Sequence, residues 1–206
     1  MAAAILFTVV IGYLLGNLNG SVLISRLLEK DDVRRHGSGN AGFTNFFRNY
    51  GGINSLIVFL IDGLKASLAC IIGGLLLGKY GLRLEGMTLG ALAVSLGHDF
   101  PALLHFRGGK GIVSGFAALI TIDWRIALWV GGIFLIAYLL TYYVSLASLS
   151  GAVTYGLGFI VVYHDRPVVM VLGVAIAVLA IFMHRQNIAR LIQGTESKTN
   201  FFQKGK

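Results

Sequence analysis

Between residues 105 and 111 the chain reads HFRGGKG, a basic, glycine-rich segment with apolar sequence on both sides. Glycine lets a backbone turn tightly and aim successive N–H groups at one point, and a lysine beside such a nest completes a cradle for phosphate. Two further segments offer the same chemistry: RRHGSGNAGFTNFFR at 34–48 and HRQNIARLIQGTE at 184–196. The first two of these three segments contain no acid, and the third contains only Glu196. A divalent cation needs several oxygen anions, so these are poor metal sites and good anion sites. The candidate phosphate ligands are Asn40, Thr44, Asn45, Arg48, Gly108, Gly109, Lys110 and Gly111. Arg48 offers a planar fork for bidentate binding, and the neutral Asn and Thr side chains either complete the shell or cap a helix. Ser38 serves as a donor or proton relay, or else as a helix N-cap. His184 and Asn187, three apart, share a helical face, and an imidazole there takes a proton or orients a phosphate.

The turn is not a nucleotide-hydrolysing loop. Leu104 stands where the first glycine of G-x-x-x-x-G-K-[ST] belongs, no Ser or Thr follows Lys110, and no strand precedes it.

What positions these groups follows from composition. Of 206 residues, 56% are hydrophobic and 13% charged, with mean hydropathy +0.78, which is too apolar for a soluble domain. The chain reads as an all-α integral membrane protein. No Lys or Arg precedes Arg26, so the N-terminal segment is taken as a first span rather than a signal peptide. The length rule of roughly 17 to 25 apolar residues picks out spans at 4–27, 52–78, 85–105, 110–124, 126–143, 146–163 and 167–183. Six is the rival count, because the fourth segment is short and the charge-free run 126–163 must be divided.

With seven spans, Arg26, Lys30, Arg34, Arg35, Arg48, Arg107, Lys110, Arg185, Arg190, Lys198, Lys204 and Lys206 share one side. Lys79, Arg83, Arg125 and Arg166 occupy the other. The positive-inside rule makes the richer side cytoplasmic, with the N-terminus outside and the C-terminus in the cytoplasm. The net charge of +8 thus reports topology and anion binding; no basic stripe with interleaved aromatics points to nucleic acid. Lys65 lies within a span, three residues from Asp62, and the two form an ion pair that locks helix packing or touches substrate. His98 is assigned a loop-fixing hydrogen bond, and Glu196 a pairing with a base that fixes the tail. The single cysteine, Cys70, excludes an intrachain disulfide. Glycines in IIGGLLLG and VGGIFLI are expected to permit close helix packing.

The segments GSGNAGFTNFFR (37–48), GHDFPALLHFRGGKG (97–111) and HRQNIARLIQGTE (184–196), in this order and spacing, resemble the three motifs of the bacterial acyl-phosphate:glycerol-3-phosphate acyltransferase family, PlsY. IDGLK and YVSLAS add weaker support, while Ala66 and the run GIVSG depart from the family pattern. The resemblance implies a single membrane domain of seven helices in the bacterial cytoplasmic (inner) membrane, with its active site facing the cytoplasm. It implies transfer of a fatty acyl group from acyl phosphate to the 1-hydroxyl of sn-glycerol 3-phosphate, giving lysophosphatidic acid and phosphate. Ser38, His184 and Asn187 then take catalytic places, the ligands above hold substrate phosphate, and the upstream enzyme that makes acyl phosphate becomes a partner. No cofactor or metal is expected. The H-x-x-x-x-D pair of other glycerolipid acyltransferases is missing after every histidine, which suits a donor that is already an activated anhydride. The rival function is a small transporter or channel for an anionic solute. It calls for polar residues spread along the spans and often repeated halves, where this chain concentrates its donors on one face.

Overall fold

The structure is a computed structural model that describes residues 1–199; Lys204 and Lys206, counted in the charge bias above, lie outside the described residues. Ten α-helices follow in order: α1 Ala2–Asn17, α2 Gly20–Leu27, α3 Phe43–Tyr50, α4 Gly52–Gly78, α5 Arg83–Asp99, α6 Ile112–Ile122, α7 Trp124–Thr141, α8 Val144–Val162, α9 Pro167–Met183 and α10 Arg185–Ile192. No strand occurs among the described residues.

Among the described residues, five stretches are long and apolar enough to cross a membrane: Ala2–Leu27, Gly52–Gly78, Arg83–Leu104, Trp124–Thr141 and Val144–Val162. The pair α9 and α10, bent by 53° at His184, makes a sixth if taken as one span. The expected seventh, at 110–124, is the 11-residue α6. At about 1.5 Å per residue it covers about half of the roughly 30 Å hydrocarbon core, so length alone does not make it a span. Leu6, Leu14, Leu64, Leu75, Leu140 and Val161 stand exposed on the long helices, where a lipid-facing surface needs them.

The helices approach closely wherever glycines oppose one another. A Cβ on Gly73 would collide with the backbone of Gly86, and one on Gly97 with the Tyr13 carbonyl, which lets α4, α5 and α1 pack backbone to backbone. The expectation for IIGGLLLG therefore describes α4 well. It fails for Gly132 of VGGIFLI, around which a Cβ would meet nothing within 4 Å.

The first span is broken. α1 stops at Asn17 and α2 restarts at Gly20, with Asn19 capping the restart by accepting from Val22 N at 3.0 Å. Broken helix ends leave carbonyls and N–H groups without partners, a heavy cost inside a membrane. Lys65 and Asp62 of α4 supply them. Lys65 Nζ donates to Leu18 O at 2.6 Å, and Asp62 Oδ1 accepts from Gly20 N at 3.2 Å, while the two side chains pair at 2.7 Å. A cation thus meets the C-terminal end of α1 and an anion the N-terminal end of α2, each on its favourable pole.

Farther along, Gly51 and Gly52, at φ +57° and +62°, turn the chain from the short helix α3 into the long α4. These left-handed values suit glycine and carry a penalty for other residues.

Candidate active site

The first motif forms a loop ordered by Asn45. Its Nδ2 donates to the carbonyls of Val33, His36 and Asn40 at 3.0 to 3.1 Å, and its Oδ1 accepts from Ser38 N at 3.0 Å. The side chain is buried and its hydrogens are engaged within the loop, so Asn45 holds the loop in shape while also lining the cavity. Ser38 is no N-cap either, since Gly42 occupies that position before α3. Ser38, Asn40, Thr44 and Arg48 all line one cavity.

The second motif corrects the open-nest picture. Gly109 N donates to His98 O at 3.1 Å, so that N–H is turned onto the protein and not held out to a ligand, and Gly108 O accepts from Ala41 N. Their lack of side chains serves contact instead: a Cβ at Gly108 would strike His98 O, and one at Gly109 the His98 imidazole. His98 Nδ1 in turn lies 2.9 Å from Lys65 Nζ, so the nitrogen accepts and the ring hydrogen sits on Nε2. His98 is thereby the post on which the glycine loop rests, close to its expected place. Gly111, at φ +66°, starts α6, whose first turn reaches the cavity with N–H groups that no helical carbonyl can satisfy.

Lys110 Nζ bonds Asn187 Oδ1, which joins the second motif to the third. Burial lowers the Lys110 pKa to about 8, with the positive charges of Arg190, Arg48 and Arg185 pushing the same way against Glu196. In the third motif Asn187 Nδ2 donates to Glu196 Oε1 at 2.8 Å, and Arg190 Nε donates to Glu196 Oε2 at 2.6 Å. Burial works to raise the Glu196 pKa, but these hydrogen bonds hold it below the usual value. Glu196 does pair with a base, Arg190, and it also lines the cavity. His184 Nδ1 lies 2.8 Å from Ala180 O, and donation to that carbonyl leaves Nε2 with its lone pair free to accept.

Residues 197–199 return across this face. Arg48 donates to Thr199 Oγ1 at 2.6 Å and to Ser197 O at 3.1 Å, while Thr199 N donates to Tyr142 O. The tail thus ties α3 to the α7–α8 junction. Sequence reading missed Asp99, Arg190, Ser197 and Thr199. Arg190 stood in the third motif and Asp99 in the second, whereas Ser197 and Thr199 gain their places only from the fold.

Ser38, Asn40, Thr44, Arg48, Lys110, Gly111, His184, Asn187, Arg190 and Glu196 line one end of a cavity of about 560 Å³. Its other end runs between α6, α7, α8 and α9 and is lined by Phe116, Val130, Phe134, Leu135 and Ile176. Among the described residues no cluster of His, Cys, Asp or Glu has the makings of a metal site. Basic groups at one end and apolar side chains at the other fit an amphiphilic anion.

Fold and cavity therefore define a helical integral membrane protein with one cavity that is basic at one end and apolar at the other. The glycerol-3-phosphate acyltransferase family profile matches residues 6–194. A glycerol-3-phosphate acyltransferase of Thermoanaerobacter pseudethanolicus is 39% identical over 191 residues, 93% of each chain. One from Finegoldia magna is 40% identical over 199 residues, covering 94% of this chain and 96% of its own. The crystal structure of PlsY (YgiH), an integral membrane glycerol 3-phosphate acyltransferase, in its glycerol 3-phosphate form superposes with a TM-score of 0.85. It is 31% identical and covers 97% of this chain and 99% of its own. Its lysophosphatidic acid form gives 0.82 at the same identity, over 95% of both chains. This chain belongs to the glycerol-3-phosphate acyltransferase family.

Proposed function

We propose that the protein transfers a fatty acyl group from acyl phosphate to the 1-hydroxyl of sn-glycerol 3-phosphate, releasing lysophosphatidic acid and phosphate. The observation that carries this reading is the two-ended cavity. Arg48, Lys110 and Arg190 gather at one end for the phosphates of both substrates, and the apolar end takes the acyl chain. Solved relatives described in glycerol 3-phosphate and lysophosphatidic acid forms support the acceptor and the product.

In the reaction the glycerol hydroxyl oxygen bonds the acyl carbon, the carbon–oxygen bond to phosphate breaks, and inorganic phosphate leaves. Lys110 and the first turn of α6 stabilise the charge gathering on that phosphate, since preorganised donors in a water-poor site act strongly on developing charge. Arg48 and Ser38 hold the acceptor's phosphate. His184 Nε2 takes the hydroxyl proton, its orientation fixed through Nδ1 by Ala180 O. Asn187 sets Lys110 and Glu196 in place.

The site faces the cytoplasm of a bacterial inner membrane, the chain crosses seven times with its N-terminus outside, and an upstream enzyme supplies acyl phosphate. Purified protein in detergent, given acyl phosphate and labelled sn-glycerol 3-phosphate, tests the reaction. Labelled lysophosphatidic acid is the expected product, and its absence with folded protein would defeat the proposal.

A further inference from the structure

Three carboxylates line the cavity, and two of them are satisfied. Asp62 pairs with Lys65 and accepts from Gly20 N, and Glu196 accepts from Asn187 and Arg190. The third, Asp99, is the last residue of α5 and is 2% exposed, yet its Oδ1 has no hydrogen-bond partner among the described residues. It lies against the start of α6, where a Cβ placed on Gly111 would stand 3.2 Å from Oδ1 and 3.7 Å from Oδ2. The carboxyl therefore adjoins the residue that follows Lys110. The intramembrane Lys65 does not serve it, because that ammonium is engaged by Asp62, Leu18 O and His98.

A buried carboxyl without a partner is costly. Its presence makes sense if a substrate brings a donor. Acyl phosphate offers acceptor oxygens only. Glycerol 3-phosphate brings two hydroxyls as well. The hydrogen of the reacting 1-hydroxyl goes to the base, which leaves the 2-hydroxyl as the donor in need of an acceptor.

Building on the acyl-transfer reading above, we propose that Asp99 accepts a hydrogen bond from the 2-hydroxyl of glycerol 3-phosphate and selects acceptors that carry it. A site built to bond a substrate hydroxyl rejects the analogue lacking it, because the protein group is then left unpaired.

The test compares sn-glycerol 3-phosphate with 3-hydroxypropyl phosphate, which has hydrogen in place of the 2-hydroxyl, on wild type, Asp99→Asn and Asp99→Ala. Wild type should lose about 10- to 100-fold in kcat/KM on the analogue, the usual effect of leaving one buried polar group unpaired. Asp99→Ala should lose a similar factor on glycerol 3-phosphate while changing little on the analogue, and Asp99→Asn, which keeps an acceptor oxygen, should fall between. Equal losses on both acceptors, or no loss on either, would overturn the assignment. Thermal melting gives a second reading should Asp99→Ala fold poorly. Asp99→Asn should melt no lower than wild type without substrate and gain less from added glycerol 3-phosphate, and an undiminished gain would count against the proposal. Failure of the acyl-transfer reading is separate, since wild type would then turn over neither acceptor.

Discussion

Lys65 Nζ and His98 Nδ1 meet at 2.9 Å, and that contact ties the broken first span to the glycine loop that carries Lys110. The charge pair in α4 thus does two things: it seals the ends of α1 and α2, and it fixes the imidazole on which Gly108 and Gly109 rest.

Removing only the cation should be worse than removing both charges. Lys65→Met leaves Asp62 as an uncompensated buried anion, at a cost of about 3–5 kcal/mol. The double variant Asp62→Asn/Lys65→Met should recover most of that loss. Melting of the purified proteins in detergent is the readout. A single variant as stable as wild type would remove the seal from the account.

Gly109→Ala should lose activity, because its Cβ runs into the His98 ring and displaces the loop that sets Lys110. Gly132→Ala is the control. Nothing lies within 4 Å of a Cβ there, and alanine favours a helix over glycine by about 1 kcal/mol, so turnover should hold and melting should stay level or rise. Normal kinetics in Gly109→Ala would refute the packing role.

Burial pushes the Lys110 pKa down to about 8. Its folded-state pKa is depressed, so the charge that binds phosphate is present below that pH and is lost as pH rises through it. The KM for phosphate-bearing substrates should climb above pH 8. Lys110→Arg, charged at all accessible pH, should flatten that climb even where its turnover differs. Lys110→Ala should weaken substrate use by one to two decades, from loss of about 1.5–3 kcal/mol. A profile shared by wild type and Lys110→Arg would assign the titration elsewhere.

The proposed orientation predicts the labelling pattern. On a Cys70-free background, single cysteines near Arg48, Gly109 and Lys198 should escape an impermeant reagent in intact cells, and one near Arg166 should react. A labelled tail would defeat the seven-crossing topology.

The long helices were legible because apolar length is a local property: α4, Gly52–Gly78, coincides with the apolar run 52–78. The three motifs were legible as chemistry because they are rich in basic and neutral donors, with Asp99 and Glu196 their two acids. What sequence hid was contact. Nothing along the chain reveals that Asn45 turns its amide back onto its own loop, that Gly109 is a glycine because His98 lies beneath it, or that Arg48 meets Thr199 across 151 positions. The break at Leu18 was also hidden, since Asn17 and Asn19 read as polar residues inside an otherwise acceptable span until Lys65 and Asp62 are seen filling the gap.

The central claim is that the basic end of the cavity receives acyl phosphate as donor, and donor competition on one protein preparation tests it most directly. Acyl phosphate and acyl-CoA of the same chain length are offered with labelled sn-glycerol 3-phosphate, and lysophosphatidic acid is counted. The account predicts rapid product from acyl phosphate and little from acyl-CoA, because Lys110 and the first turn of α6 stabilise a departing phosphate that a thioester lacks. Comparable turnover with acyl-CoA, without prior conversion to acyl phosphate, would contradict it and leave the loop at 108–111 as an acceptor site alone.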